Sequence, residues 1–93
     1  MPEMHVYLRW PDGSVQRVYS PSLVITDHVQ EGMTYPVDEL VPRLRTALTQ
    51  ASERVRASYG FPCSRAAASL AAIERRAAAY PGTADATVEA FER

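Results

Sequence analysis

The sequence predicts an α+β domain in which an N-terminal β-hairpin and a C-terminal edge strand pack on an antiparallel two-helix hairpin, in the order β-β-α-α-β. Three observations carry this prediction. Apolar and polar residues alternate over residues 4–19 on both sides of a turn, as in two half-buried strands. Apolar residues then recur at helical spacing over residues 37–60 and again over 64–80. With 93 residues the chain is long enough for one hydrophobic core, and we expect a single domain over 1–93.

The β-hairpin is predicted over residues 4–19, with its apolar side toward the core. Residues 11–13 read Pro-Asp-Gly, in which the proline presets φ and the glycine accepts the left-handed conformation of a three-residue hairpin loop. A loop of this length pairs Val6 with Val18. The same register gathers a polar and aromatic set on the opposite face of the hairpin: His5, Tyr7, Arg9, Arg17 and Tyr19.

A long amphipathic helix is predicted over residues 37–60, because one apolar stripe runs along the whole segment. Gly60 is expected to end it as a left-handed cap, with Phe61 folding back on the helix. Pro42 predicts that the regular helix begins at 38–41 or bends there, since proline is best tolerated in the first turn.

The second helix is predicted over residues 64–80, with Ser64 as its N-cap, and the short connection makes the two helices antiparallel. Residues 20–36 are interpreted as mostly loop. Residues 86–91 alternate and are expected to return as an edge strand against the hairpin. Away from its apolar stripe, the second helix carries a face of small residues that would allow another helix to approach closely: Ala68, Ala72 and Ala79.

Composition and charge narrow the classes of partner. The net charge of −1 and the pI near 6.1 provide no long-range attraction for nucleic acid or for an anionic membrane, so neither is expected as a partner. All ten basic residues are arginine, which we interpret as the signature of a GC-rich bacterial genome. The sequence shows neither a leader pattern nor an apolar run of about 18 residues, and its lone cysteine agrees with a reducing compartment, so a cytoplasmic location is expected. A core this rich in alanine buries little area per residue, which favours a homo-oligomer.

Two surfaces are candidate sites. The polar and aromatic face of the hairpin has the residue types enriched at protein interfaces and in small anion sites. Three interpretations of this face follow: a protein interface, a plain solvated face or a ligand site. Cys63 is the other candidate, because it lies at or next to the N-cap of the second helix, where the dipole favours a thiolate. A cysteine enzyme also needs a base, and His5 and His28, both distant in sequence, are the only histidines.

The remaining motifs point away from common chemistry. Asp27, His28 and Glu31 are metal-capable residues in one loop, but they match no recurring ligand spacing, so no metal site is predicted. The chain has no Gly-rich phosphate loop and no visible pair of catalytic carboxylates, and we expect no cofactor. We therefore expect no catalytic residue apart from the candidate Cys63.

The chain resembles, over almost its whole length, the small bacterial nitrogen-starvation-response proteins encoded beside a nitrilase. The resemblance lies in the order and spacing of several segments, which are Met1-Pro2-Glu3-Met4, Arg9-Trp10-Pro11-Asp12-Gly13-Ser14, Tyr19-Ser20-Pro21-Ser22-Leu23-Val24, Tyr35-Pro36 and Ala51-Ser52-Glu53-Arg54-Val55-Arg56-Ala57-Ser58-Tyr59-Gly60-Phe61, together with Cys63-Ser64 and Val88-Glu89-Ala90-Phe91. It implies a gene cluster for nitrile or cyanide nitrogen assimilation that also encodes a flavin-dependent oxidoreductase, a radical SAM protein and an acetyltransferase. It implies no activity for this member.

Three hypotheses for the function follow. The first is a non-catalytic accessory or partner-binding protein of a nitrile- or cyanide-assimilation system, with an enzyme of the same gene cluster as a partner. The second is a small enzyme or ligand-binding protein, with a site around Cys63 or on the sheet face of His5, Tyr7 and Tyr19. The third is a transcriptional regulator, which the near-neutral charge disfavours.

Overall fold

The computed structural model describes residues 2–93, in which two helices pack on a four-stranded antiparallel sheet, and the predicted α+β class is confirmed. The strands are β1 (Met4–Arg9), β2 (Val15–Ser20), β3 (Thr34–Pro36) and β4 (Asp85–Glu92). The helices are α1 (Val37–Tyr59) and α2 (Ser64–Ala77), and a short 3-10 helix (Leu23–Asp27) precedes β3.

The hairpin of β1 and β2 forms as predicted. Gly13 adopts a left-handed φ of 87°, and its N–H donates to the carbonyl of Trp10 at 2.8 Å. Trp10 in turn donates to the carbonyl of Ser14 at 2.8 Å, which closes the loop. The resulting register places Val6 opposite Val18, so the apolar side of both strands faces the core.

The last strand is not at an edge, and this part of the prediction is wrong. The sheet order is β2-β1-β4-β3, so β4 lies between β1 and β3 and pairs antiparallel with both. The segment 20–36 is also more structured than expected, because it contains the 3-10 helix and β3. Tyr35 is the buried residue of β3 and lies opposite Ala86. A strand of three residues with one buried side chain has no period that a sequence pattern can reveal.

Helix α1 begins at Val37 and continues through Pro42. Its first N–H groups have no side-chain cap. Instead, Val37 donates to the carbonyl of Ala84 at 2.9 Å and Asp38 to that of Gly82 at 3.0 Å, so the loop before β4 caps the helix. Asp38 and Pro42 are exposed, so water can bind the carbonyl of Asp38, which the proline leaves without a donor.

Helix α2 differs from the prediction at both ends. Cys63 occupies the N-cap position without a side-chain cap, and Ser64 is the first helical residue. Because Cys63 holds the N-cap position, the prediction that Ser64 is the N-cap is wrong. The regular helix ends at Ala77 rather than at Tyr80. Tyr80 lies beyond the helix and stacks on Trp10, with ring centroids 5.8 Å apart and an interplanar angle of 10°.

The core lies between the helices and one face of the sheet. Trp10 is its largest fully buried side chain, and the indole Nε1 donates to Oε1 of Gln16 at 2.8 Å, so its polar atom is satisfied. The sheet contributes mainly Met4, Val6, Leu8, Val18 and Val88, and α1 contributes mainly Leu40, Leu44, Ala47 and Leu48.

The two helices extend past the sheet. No residue from 52 to 65 is buried, and the buried residues of α1 end at Ala51. Phe61 is 65% exposed and Tyr59 is 59% exposed, so the prediction that Phe61 folds back on the helix is wrong. Gly60 does form the left-handed cap with φ 86°, and its N–H donates to the carbonyl of Arg56 at 2.8 Å. We call residues 52–65 the helical tip.

Candidate functional site

The open sheet face is the face opposite the helices. Along β1 the buried residues Met4, Val6 and Leu8 alternate with His5, Tyr7 and Arg9, which are half-buried or exposed. No helix of residues 2–93 covers the latter set, because both helices pack on the core side.

The five residues predicted as a candidate face do lie together there. Tyr7 is paired with Arg17, and His5 with Tyr19, across the β1–β2 ladder. Arg9 follows on the same side of β1. The structure thus places the predicted set on one continuous surface.

Two carboxylates from β4 complete this surface. Arg9 donates through Nε and Nη2 to Oε1 of Glu89 at 3.1 and 2.8 Å. Arg17 donates through Nε and Nη2 to Oε1 of Glu92 at 3.3 and 2.7 Å. His5 Nδ1 lies 3.7 Å from the same Glu92 oxygen. Each arginine of the face is therefore neutralised by a neighbouring glutamate, so the face presents ion pairs rather than free cations.

The pKa values of these groups follow from their pairing. The hydrogen bond from Arg17 holds the pKa of Glu92 below its usual range, against a smaller opposing contribution from desolvation. The hydrogen bond to Glu89 raises the pKa of Arg9, and the one to Glu92 raises that of Arg17. Glu92, Arg9 and Arg17 therefore stay charged at neutral pH. Because these pairs are exposed to water, which screens their attraction, their main effect is to set the charge pattern of the face.

Tyr19 forms the corner where the open sheet face meets α2. The guanidinium of Arg65 lies 3.6 Å from the centroid of its ring, and the ring of His5 packs against it edge-on at 5.7 Å. Its hydroxyl donates to Oε2 of Glu3 at 3.0 Å. Burial raises the pKa of Tyr19, and the hydrogen bond to Glu3 raises it further, so the phenol remains protonated.

Cys63 lies at the N-cap of α2 and is partly exposed, as the sequence placed it. Its backbone N–H donates to Oγ of Ser52 at 3.3 Å, which joins the start of α2 to α1. The histidines have other partners: His5 lies against Arg17 and Glu92, whereas Nε2 of His28 is 2.8 Å from Oε1 of Gln50 on α1. The structure thus places the two histidines on different elements and hydrogen-bonds each to groups other than the thiol.

The loop around His28 forms a second polar depression, a cavity of about 340 Å³. Arg43 on its wall donates to the carbonyl of His28 at 2.9 Å and to Glu39 at 2.8 Å, and it lies over the ring of Tyr35. Glu31, grouped with His28 in the sequence, accepts the backbone N–H of Phe91 at 2.7 Å instead. Among residues 2–93 there is no cluster of three or more His, Cys, Asp or Glu side chains placed to hold a metal ion.

The three alanines predicted to form one small-residue face of α2 do not all lie together. Ala68 and Ala72 line a groove of about 300 Å³ between α2 and the free edge of β2. Ser69 crosses this groove and donates to the carbonyl of Tyr19 at 2.7 Å. Ala79 lies beyond the end of α2 and is separate from the groove.

The sequence reasoning missed the two glutamates of the open sheet face. They were visible only as part of an alternating segment, and their pairing with Arg9 and Arg17 depends on β4 lying beside β1. The β1–β4 register also shifts between Tyr7 and Leu8, and simple alternation along the sequence does not predict such a shift. This shift brings both Glu89 and Glu92 to the open side.

The fold and this surface define a two-layer α+β protein with a helix pair on one face of the sheet and a polar, aromatic and charge-balanced open face. The chain belongs to the family of the nitrogen starvation-induced protein NitG, whose family model matches residues 5–92. Comparisons with curated proteins and with solved structures gave no match. Within residues 2–93, neither helix is long and apolar enough to cross a membrane.

Proposed function

We propose that this chain is a non-catalytic, partner-binding accessory protein of the nitrogen-starvation response, and that the open sheet face is its protein interface. The single observation that carries the proposal is this uncovered face of a four-stranded sheet, which combines tyrosine, histidine and arginine with balancing glutamates. Tyrosine and arginine are enriched where proteins bind one another.

The arrangement favours a protein partner over a small anion. Both arginines of the face already bind carboxylates of β4, so a free anion would have to displace Glu89 or Glu92. A protein surface with its own alternating charges can instead align with the existing pairs and cover Tyr7 and Tyr19. Charge complementarity of this type gives specificity and orientation more than raw affinity.

The proposed setting is nitrile or cyanide assimilation, and the proposed partner is an enzyme encoded in the same gene cluster. Membership of a nitrogen starvation-induced family supports the metabolic condition. The resemblance to small proteins encoded beside a nitrilase supports the cluster. We place the protein in the cytoplasm with its partner enzyme.

A pull-down from the native host under nitrogen limitation tests the proposal. The tagged protein should recover an enzyme of the cluster, and Tyr7→Asp should abolish the recovery because it puts a charge at the centre of the face. Thr46→Asp, at an exposed position on α1, is the matched control and should recover the enzyme normally. A tagged protein that is repeatedly recovered alone, in a host whose nitrile or cyanide assimilation is normal without it, would refute the proposal.

A further inference from the structure

The helical tip carries the largest exposed aromatic side chains of the described chain. Tyr59 and Phe61 are exposed by 59% and 65%, on either side of Gly60. Single exposed apolar residues are common on protein surfaces, but here two exposed aromatic residues lie two positions apart in the chain, and we call them together the aromatic patch.

The shape of the molecule makes this patch prominent. Helix α1 has 23 residues and is therefore about 34 Å long, whereas the six residues of β1 span about 20 Å. The molecule accordingly measures 38 × 22 × 18 Å. Because residues 52–65 contribute no buried side chain to the core, packing in the core does not explain the aromatic residues of the tip.

The tip is held in shape before any contact is made. Gly60 has φ 86° and donates to the carbonyl of Arg56 at 2.8 Å, which fixes the end of α1. The N–H of Cys63 donates to Oγ of Ser52 at 3.3 Å, which fixes the start of α2. A partner therefore meets Phe61 on an ordered turn, and binding loses less conformational entropy than it would with a flexible loop.

The charges of the tip indicate what surrounds the aromatic rings in a complex. Three arginines, Arg54, Arg56 and Arg65, accompany the one glutamate Glu53. Elsewhere in residues 2–93, four of the other seven arginines form ion pairs with glutamates, which are Arg9, Arg17, Arg43 and Arg45. None of the tip arginines pairs with a carboxylate within the described chain. Arg54 donates to Oγ of Ser22 at 3.2 Å, and Arg65 lies over the ring of Tyr19. Arg56 has no such contact among the described residues, so it is the tip arginine best placed to meet a carboxylate of a partner.

We propose that the helical tip is a second docking surface, which inserts Phe61 and Tyr59 into an apolar pocket of a partner protein whose rim carries carboxylates. Aromatic residues together with arginine are the types that dominate the binding energy at protein interfaces. A membrane is the less favoured occupant, because anionic lipid surfaces are recognised by clusters of about four to eight basic residues and the tip has three. The proposal does not depend on the open sheet face, which lies on a different element.

Site-specific photo-crosslinking in the native host under nitrogen limitation tests the proposal. Phe61 is replaced by p-benzoylphenylalanine, which keeps an aromatic ring at the position, and Thr83 is replaced in the same way as an exposed control. We expect one protein to be crosslinked from position 61 and not from position 83. Its crosslinked peptide should contain apolar residues flanked by Asp or Glu.

Binding by the purified crosslinked protein then gives the decisive measurement. Phe61→Ala should weaken binding about 30-fold or more, as for the central residue of an interface, while leaving thermal unfolding unchanged. Arg56→Glu should also weaken this binding. Arg56→Lys should retain both the affinity and its dependence on salt concentration. Equal crosslinking from both positions, or unchanged binding by Phe61→Ala, would overturn the proposal.

Two further outcomes also overturn it. Crosslinking to a second copy of this chain would make the tip a self-association surface. Sedimentation of the wild-type protein with phosphatidylglycerol vesicles, lost in Phe61→Ala, would make it a membrane contact. Tyr7→Asp on the open sheet face should leave crosslinking from position 61 intact, so the failure of one proposal can be told from the failure of the other.

Discussion

Replacing Gly82 with alanine is expected to lower the free energy of unfolding by about 1–3 kcal/mol, the range for overpacking a closely fitted site. A Cβ at position 82 would lie 2.9 Å from Cβ of Asp38 and 3.3 Å from its Cγ and Oδ2. The loop cannot simply move away, because the carbonyl of Gly82 accepts the N–H of Asp38 at 3.0 Å. The substitution therefore pushes apart the start of α1 and the loop that caps it.

Unfolding in denaturant or on heating measures this effect, with the fluorescence of the single tryptophan, Trp10, as the signal. For a domain of this size we expect the melting temperature to fall by about 4–8 °C for each kcal/mol. Asp38→Gly removes the opposing Cβ, so the double variant should be more stable than the sum of the two single effects predicts.

Gly60→Ala is the contrasting control. Nothing lies within 4 Å of its Cβ position, but φ is 86°, so its cost comes from the backbone and amounts to about 1–2 kcal/mol. Asp38→Gly should not reduce that cost. If Gly82→Ala were as stable as the wild type, or if its effect were additive with that of Asp38→Gly, the steric reasoning would be refuted.

Two further predictions concern single groups. Cys63 should be alkylated no faster than free cysteine at neutral pH, because neither histidine is hydrogen-bonded to it within residues 2–93; a faster reaction would favour a catalytic or ligand-binding role for the thiol. The pKa of Asp12 is lowered from 3.8 to about 2, first by the hydrogen bond from the Ser14 hydroxyl and then by that from its backbone N–H. Because the folded-state pKa is depressed, its contribution to stability should be complete above pH 3.8 and lost as the pH falls through about 2, as carboxyl NMR titration of wild type and denaturation of Asp12→Asn will measure.

The sequence predicted the local structure well where one short-range signal decided it. The hairpin register followed from the Pro-Asp-Gly loop and the alternation on both sides of it, which left Val6 and Val18 no other pairing. The candidate face followed from the same register, because alternation places His5, Tyr7 and Arg9 on one side wherever the rest of the chain lies. The end of α1 was predictable because Gly60 is suited to the left-handed cap.

Features that depend on distant segments were not predictable. The position of β4 inside the sheet requires β3, a strand of three residues that pairs with it across some fifty residues of chain. The ion pairs of Arg9 and Arg17 with β4 depend on this arrangement. Phe61 was expected to pack because apolar residues after a C-cap commonly do, but the sheet ends before it reaches the tip and leaves the ring without a surface to cover.

Self-association of the purified chain is the last prediction: we expect a homodimer or larger assembly through the open sheet face in the absence of another partner. The sequence also predicted an alternative interface, the alanine face of α2. The structure favours the sheet, because Ala68 and Ala72 face the groove toward β2 and Ala79 lies beyond the helix.

The charges of the open sheet face are complementary to those of a second copy. Arg9 with Glu89 and Arg17 with Glu92 give the face equal numbers of positive and negative groups, so two copies can meet without net repulsion. Light scattering should give at least twice the monomer mass of 10.3 kDa at micromolar concentration. Tyr7→Asp should reduce this to the monomer, because it buries an unpaired charge between the sheets, whereas Ala72→Glu should leave the assembly intact. A wild-type chain that stays monomeric throughout this range, or one that only Ala72→Glu dissociates, would show that the open sheet face does not bind itself.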